Sequence, residues 1–152
     1  MAKDYLWIDT GDALNALCAR LHDAAWLALD TEFMRERTYY PQLCLVQIAT
    51  PEMVACVDVL AILTLEPLFG LLLDPKIIKV LHSARQDLEM FFHLNGRVPA
   101  PIFDTQLAAS FAGFPDQAGY AVVVQGLLGV SLEKSHTRAD WSRRPLPGAV
   151  LQ

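Results

Sequence analysis

Trp26-Leu27-Ala28-Leu29-Asp30-Thr31-Glu32-Phe33 is the stretch on which the fold turns. An apolar run of this length, closing on polar residues, reads as a strand with Trp26 to Leu29 buried in the middle of a sheet. Side chains of a strand alternate between faces, so Asp30 and Glu32, two apart, point the same way. Two carboxylates on one face repel each other, and a divalent cation held between them relieves that repulsion. Mg²⁺ suits such a place because it takes oxygen ligands and keeps several waters. A bare Asp-x-Glu is a weak signal, since strand ends exposed to water carry acidic residues for no chemical reason. Its position outside the end of a central strand, where ligands collect in open α/β sheets, gives it weight.

Moving outward, Leu43–Thr50 and Val54–Val59 read as further strands, with Pro51-Glu52 as the turn between them. Leu65–Leu73 reads as a helix ended by Asp74-Pro75, and Ile77–Leu81 as a fourth strand. On the N-terminal side, Thr10 can cap a helix that carries Leu14, Leu17, Cys18 and Leu21 at helical spacing. Ser83–Asn95 is the clearest helix. Ser83 and Gln86 have capping-box spacing, Leu88, Phe91 and Phe92 form the apolar stripe, and Gly96 is the stop. Val98–Pro101 is an extended loop, Asp104 can cap a helix to about Ala112, and Tyr120–Leu128 reads as a last helix. The expectation is a mixed α/β layer fold around one core.

Composition narrows the function classes. The 152 residues are about one domain, and 53% are hydrophobic, which argues against disorder. No apolar run approaches the roughly 18 residues that span a bilayer, and Met1 to Asp12 lacks the layout of a signal peptide. A cytoplasmic monomer that needs no membrane is expected. Cys18, Cys44 and Cys56 show no metal-binding spacing and read as packing residues. The net charge of −5 excludes binding of a polyanion by bulk charge. Such binding would need local basic groups or bound cations. Arg35 and Arg37 follow the acidic pair, and Arg138, Arg143 and Arg144 lie in a basic stretch between Ser131 and Gln152.

Asp87 is a third candidate carboxylate, in the first turn of the Ser83 helix, where the dipole favours an anion. Asp104 reads as a helix cap, and Asp58 and His93 as structural or surface residues.

Several segments together resemble one family. Asp30-Thr31-Glu32-Phe33 followed by Tyr40-Pro41-Gln42-Leu43-Cys44-Leu45-Val46-Gln47-Ile48-Ala49 is similar to the first exonuclease motif and second strand of ribonuclease D. Val80-Leu81-His82-Ser83-Ala84-Arg85-Gln86-Asp87-Leu88-Glu89 resembles its second motif. Ile102-Phe103-Asp104-Thr105-Gln106 and Ser131-Leu132-Glu133-Lys134-Ser135, ending in Asp140-Trp141, continue the match in order. The resemblance implies a DEDD-type 3′–5′ exonuclease domain of the Tyr subclass, with a ribonuclease H-like mixed sheet flanked by helices. It implies 3′–5′ hydrolysis of RNA with release of nucleoside 5′-monophosphates, acting on the 3′ ends of tRNA precursors and other small RNAs. It further implies two divalent ions, Mg²⁺ or Mn²⁺, roughly 3.5–4 Å apart. Asp30, Glu32 and Asp87 would be the catalytic, metal-holding residues. Thr31, Phe33, Arg35, Arg138, Arg143 and Arg144 would contact the substrate.

The resemblance also sets expectations about what lies outside the chain. The family's fourth carboxylate and water-orienting tyrosine belong to a Tyr-x-x-x-Asp motif that would fall after Gln152, as would its HRDC domains. Residues 1–152 are therefore expected to be an exonuclease domain incomplete at its C-terminus and poorly active alone. His136 and Asp140 have the same four-residue offset, but their segment lacks the apolar stripe of a docked helix. Two other functions stay open: a DNA-directed proofreading-type exonuclease, and a non-catalytic fragment that binds RNA or a partner.

Overall fold

The structure is a computed structural model, and it describes residues 5–35, 39–132 and 139–146. In chain order these residues form β1 (Leu6–Ile8), α1 (Gly11–Leu21), β2 (Trp26–Met34), β3 (Gln42–Ala49), β4 (Val54–Val57), α2 (Glu66–Leu72), β5 (Ile78–Leu81), α3 (Arg85–Asn95), β6 (Ile102–Asp104), α4 (Thr105–Phe111) and α5 (Tyr120–Leu128). The strands make one mixed sheet in the order β1-β4-β3-β2-β5-β6.

The opening stretch is a central strand. β2 pairs antiparallel with β3 from Ala28 to Met34 and parallel with β5 through Trp26, Leu27 and Ala28. Leu27, Leu29 and Thr31 are buried on one face, while Asp30 is open on the other. Cys44 of β3 is an extra residue opposite the Glu32–Phe33 step, a bulge of the kind found beside active sites. The bulge turns Cys44 and Leu45 together toward the face opposite the main core.

The main core lies between the sheet and α1, α2 and α3, and it takes in Leu14, Leu29, Ile48, Leu68 and Phe91. The Thr10 hydroxyl caps α1 by accepting the Ala13 N–H at 3.2 Å. The other face is half covered. There Trp141 and Leu146, from the strap 139–146, pack on Cys44, Leu45 and Cys56. A third, small cluster of Ala109, Ala118 and Val123 joins α4 to α5. No helix of the described residues is long and apolar enough to cross a membrane.

Three features depart from the sequence pattern. β1 and β6 are strands that the pattern does not predict; each is three residues, too short to show a period. The Val54 strand ends at Val57, because Asp58 turns the chain by accepting the Leu60 N–H at 3.1 Å. α3 begins at Arg85, and the expected Ser83–Gln86 capping box is absent. Ser83 is in the left-handed region at φ 60°, and Ala84, which holds the cap position, has no side-chain acceptor.

Candidate active site

The alternation of β2 puts Asp30 and Glu32 on the half-covered face of the sheet, beyond the point where β2 leaves β5. The first turn of α3 fills that gap with Asp87. Desolvation raises the Asp30 carboxyl above its ordinary value, and the charge of Asp87 adds to the rise; a backbone hydrogen bond at Thr31 opposes both. Desolvation, then Asp30, then Asp87 push Glu32 up to about 7. Asp87 is raised by burial as well, against hydrogen bonds from the Thr31 hydroxyl and its own backbone. Asp87 thus weighs on both Asp30 and Glu32, Asp30 weighs on Glu32, and Asp104 adds to the rise of Asp87. Such crowding of negative charge is what a divalent cation relieves.

Neighbouring groups orient two of the three. The Thr31 hydroxyl donates to Asp87 Oδ1. Gln47 of β3 donates from Nε2 to Asp30 Oδ2 at 3.3 Å. Among the described residues, no three acidic, imidazole or thiol groups stand ready at metal-ligand spacing. The donor set is still oxygen-rich and anionic, which fits Mg²⁺ or Mn²⁺ and does not fit a soft metal.

Two grooves open near the residues that carry the carboxylates, and Asp30 lines one of them. Phe33, Arg35, Tyr39, Tyr40, Met90 and His93 line the first, a groove of about 540 Å³. Tyr40 and His93 stack there with ring centroids 3.9 Å apart, and the Arg35 guanidinium lies 6.0 Å from the centroid of Phe33. Ala28, Asp30, Gln47, His82 and Tyr120 help line the second, a groove of about 610 Å³.

The remaining expectations divide. Phe33, partly packed on the main core, and Arg35 line the first of these grooves, just past Glu32 in the chain, and Arg143 is exposed on the strap. Arg138, together with Arg37 and His136, lies outside the described residues. Two of the expected substrate contacts have side chains engaged within the protein. Thr31 is 6% exposed, and its hydroxyl donates to Asp87, so the side chain holds a carboxylate in place. The Arg144 guanidinium donates to both oxygens of Asp58 at 2.6 Å and to the carbonyls of Cys44, Trp141 and Arg143. Those bonds occupy all five donors of an arginine, leaving none for phosphate. Asp58, 3% exposed, is the structural partner in that pair. Asp140 closes its own turn by accepting the Ser142 N–H and hydroxyl.

Residues 5–152 match a family model described as 3′-5′ exonuclease. The chain belongs to the 3′–5′ exonuclease family. It is 50% identical over 149 residues to ribonuclease D of Gluconacetobacter diazotrophicus, covering 97% of this chain and 38% of that protein. Among solved structures it resembles Escherichia coli RNase D, described as an exoribonuclease involved in structured RNA processing. That match has a TM-score of 0.91 and 45% identity, over 96% of this chain and 39% of that one. It also resembles the catalytic core of RRP6 from Trypanosoma brucei, with a TM-score of 0.90 and 30% identity over 98% of this chain and 41% of that one. The chain therefore spans little more than a third of the ribonuclease D proteins it matches.

Proposed function

We propose that this chain is the catalytic module of a 3′–5′ exoribonuclease that trims tRNA precursors and other small RNAs, releasing nucleoside 5′-monophosphates. The observation that carries the reading is the convergence of Asp30, Glu32 and Asp87 at the end of a central strand, all with raised carboxyls. Asp30 and Glu32 would hold one divalent ion between them, and Asp87 would support a second. Bound there, such ions activate an attacking water and stabilise the leaving oxygen. The chain's own groups do the rest. Thr31 and Gln47 aim the carboxylates. Phe33, next after Glu32 in the chain and lining a groove, would offer a ring face on which a terminal base can stack. Arg35 and Arg143 supply positive charge for the phosphate backbone, as an acidic protein must do locally. A soluble cytoplasmic monomer is the matching setting.

Labelled RNA and matched DNA oligomers, with Mg²⁺ or Mn²⁺, test the reading. A polypeptide extended by the next ~20 residues of the family pattern, enough to supply a further carboxylate for two-metal chemistry, should shorten RNA from the 3′ end. Asp30→Ala should stop it, and the 152-residue chain alone should stay near background. Preference for DNA would favour a proofreading role. Robust cutting by the short chain would remove the need for a fourth carboxylate. Arg143→Ala should lower the slope of log affinity against log salt by about one, without altering sequence preference.

A second reading has its own support. The three carboxylates make no ready metal cage among the described residues, which favours a fragment that binds RNA or a partner without cutting. Retained RNA binding without hydrolysis in the extended polypeptide would select it.

A further inference from the structure

α3 carries Asp87 but has no cap of its own, and the acceptor for its first amides comes from another element. Asp104, at the end of β6, takes the Ser83 N–H on Oδ1 at 3.0 Å and the Ala84 N–H on Oδ2 at 2.9 Å. The same Oδ1 takes the Gln106 N–H at 2.8 Å and so caps α4. One carboxylate therefore closes the starts of two helices, and the amides it holds lie three and four residues before Asp87. The Ser83 backbone can reach Asp104 because it turns through the left-handed region, which a serine adopts at a cost of about 1–2 kcal/mol. Strain of that kind persists only where surrounding bonds enforce it.

The neighbouring residues brace the same junction. Thr105 donates to the Leu81 carbonyl at 3.1 Å, and the His82 ring bridges Thr105 Oγ1 and the Ala118 carbonyl at 2.9 and 3.0 Å. Burial pushes the Asp104 carboxyl up. Its backbone hydrogen bonds from Ala84, Gln106, Ser83 and Leu107 outweigh that and hold it below its ordinary value, so it stays ionised and keeps every acceptor.

We infer that Asp104 is a positioning residue for the metal site: by capping α3 from outside, it fixes the first turn of that helix and so the place of Asp87 opposite Asp30 and Glu32. This inference rests on the proposed function, since it gives Asp87 a metal to meet.

Two substitutions separate positioning from charge. Asp104→Asn and Asp104→Ser both remove the negative charge, and both keep a cap for α4, because Asn and Ser are good N-cap residues. Only Asn is long enough to keep an acceptor on the Ser83 amide through its Oδ1, and its Nδ2 cannot accept from Ala84 as Asp104 Oδ2 does. Mn²⁺ alone is titrated into each protein and free Mn²⁺ is followed by electron paramagnetic resonance. Backbone amide exchange is measured in parallel. The expected result is that Asp104→Ser weakens Mn²⁺ binding about tenfold or more, the usual effect of losing a group that orients a metal ligand. Asp104→Asn should lie between it and the parent protein. Amides in the first turn of α3 should exchange faster in Asp104→Ser, with those of α1 unchanged. Equal Mn²⁺ affinities for the two variants, or unchanged α3 exchange in Asp104→Ser, would overturn the inference. A parent protein that binds no Mn²⁺ would count against the proposed function, while the exchange measurement would still decide whether Asp104 fixes the turn.

Discussion

Asp30 and Glu32 ride a strand paired to β3 through their whole stretch, whereas Asp87 rides the first turn of a helix capped by a side chain from another element. On the strand, position follows from backbone pairing: the β2–β3 ladder runs from Ala28 to Met34 and passes directly through the acidic pair. On the helix, position follows from single side-chain bonds, Asp104 to the amides before it and Thr31 to the carboxylate itself. A ladder tolerates the loss of any one contact. A helix start held by two side chains does not. The strand half of the site is thus built into the fold, and the helix half is adjustable.

Breaking the strand half should have the largest effect. Asp30→Asn leaves the ladder intact and should abolish measurable Mn²⁺ binding, while thermal unfolding in the absence of metal stays close to the parent. A retained Mn²⁺ isotherm would move the ion away from β2. Next comes the packing beneath α3. Phe91 is fully buried against Phe69 and the main core, so Phe91→Ala should cost about 3–5 kcal/mol in denaturant unfolding. It should also weaken Mn²⁺ binding, because it loosens the helix that bears Asp87. Loss of stability with unchanged affinity would mean that the seat of Asp87 is independent of that core.

Thr31→Val is a finer cut. It removes the donor to Asp87 while keeping shape, so stability should change by no more than about 1–3 kcal/mol, the range for a buried group left unpaired. Mn²⁺ affinity should fall about tenfold, as for other groups that orient a ligand. The smallest effect concerns pH. Glu32 is raised from 4.5 to about 7, so the folded protein holds that proton more tightly than the unfolded chain. Its contribution to stability is fullest below the ordinary value and is lost as pH rises through about 7. The stability difference between the metal-free parent and Glu32→Gln should therefore shift against the parent as pH rises from 5 to 8. Saturating Mn²⁺ should reverse that trend. A difference that stays flat with pH would show that Glu32 ionises freely.

Much of this contrast was legible in the sequence, and the part that was not is informative. The Trp26–Phe33 run, the alternation that pairs Asp30 with Glu32, and the stripe Leu88, Phe91 and Phe92 are local patterns, and they lead to β2 and α3. Ser83 and Gln86 also make a local pattern, but the wrong one. The spacing suits a capping box, yet an acceptor 20 residues further on takes the Ala84 amide instead. The Thr31 hydroxyl reaches a residue 56 positions away and Arg144 one 86 positions away, and no window of sequence shows either. Arg144 reads as a surface cation because its partners are remote, and its burial with Asp58 is a property of the fold alone.

That ion pair has a use at the bench. The strap it fastens covers Cys44 and Cys56, while Cys18 lies on α1, away from it. Among the described residues the strap is held by the Arg144 bonds to Asp58 and Cys44 and by the packing of Trp141 and Leu146, with no strand ladder to the sheet. It should be among the first parts of the protein to lift. Each lifting exposes two thiols that are otherwise shielded. The rate at which a thiol reagent labels Cys44 and Cys56 therefore serves as a clock for strap opening, with Cys18 as its internal reference. Weakening the latch, as in Arg144→Lys, should make that clock run faster.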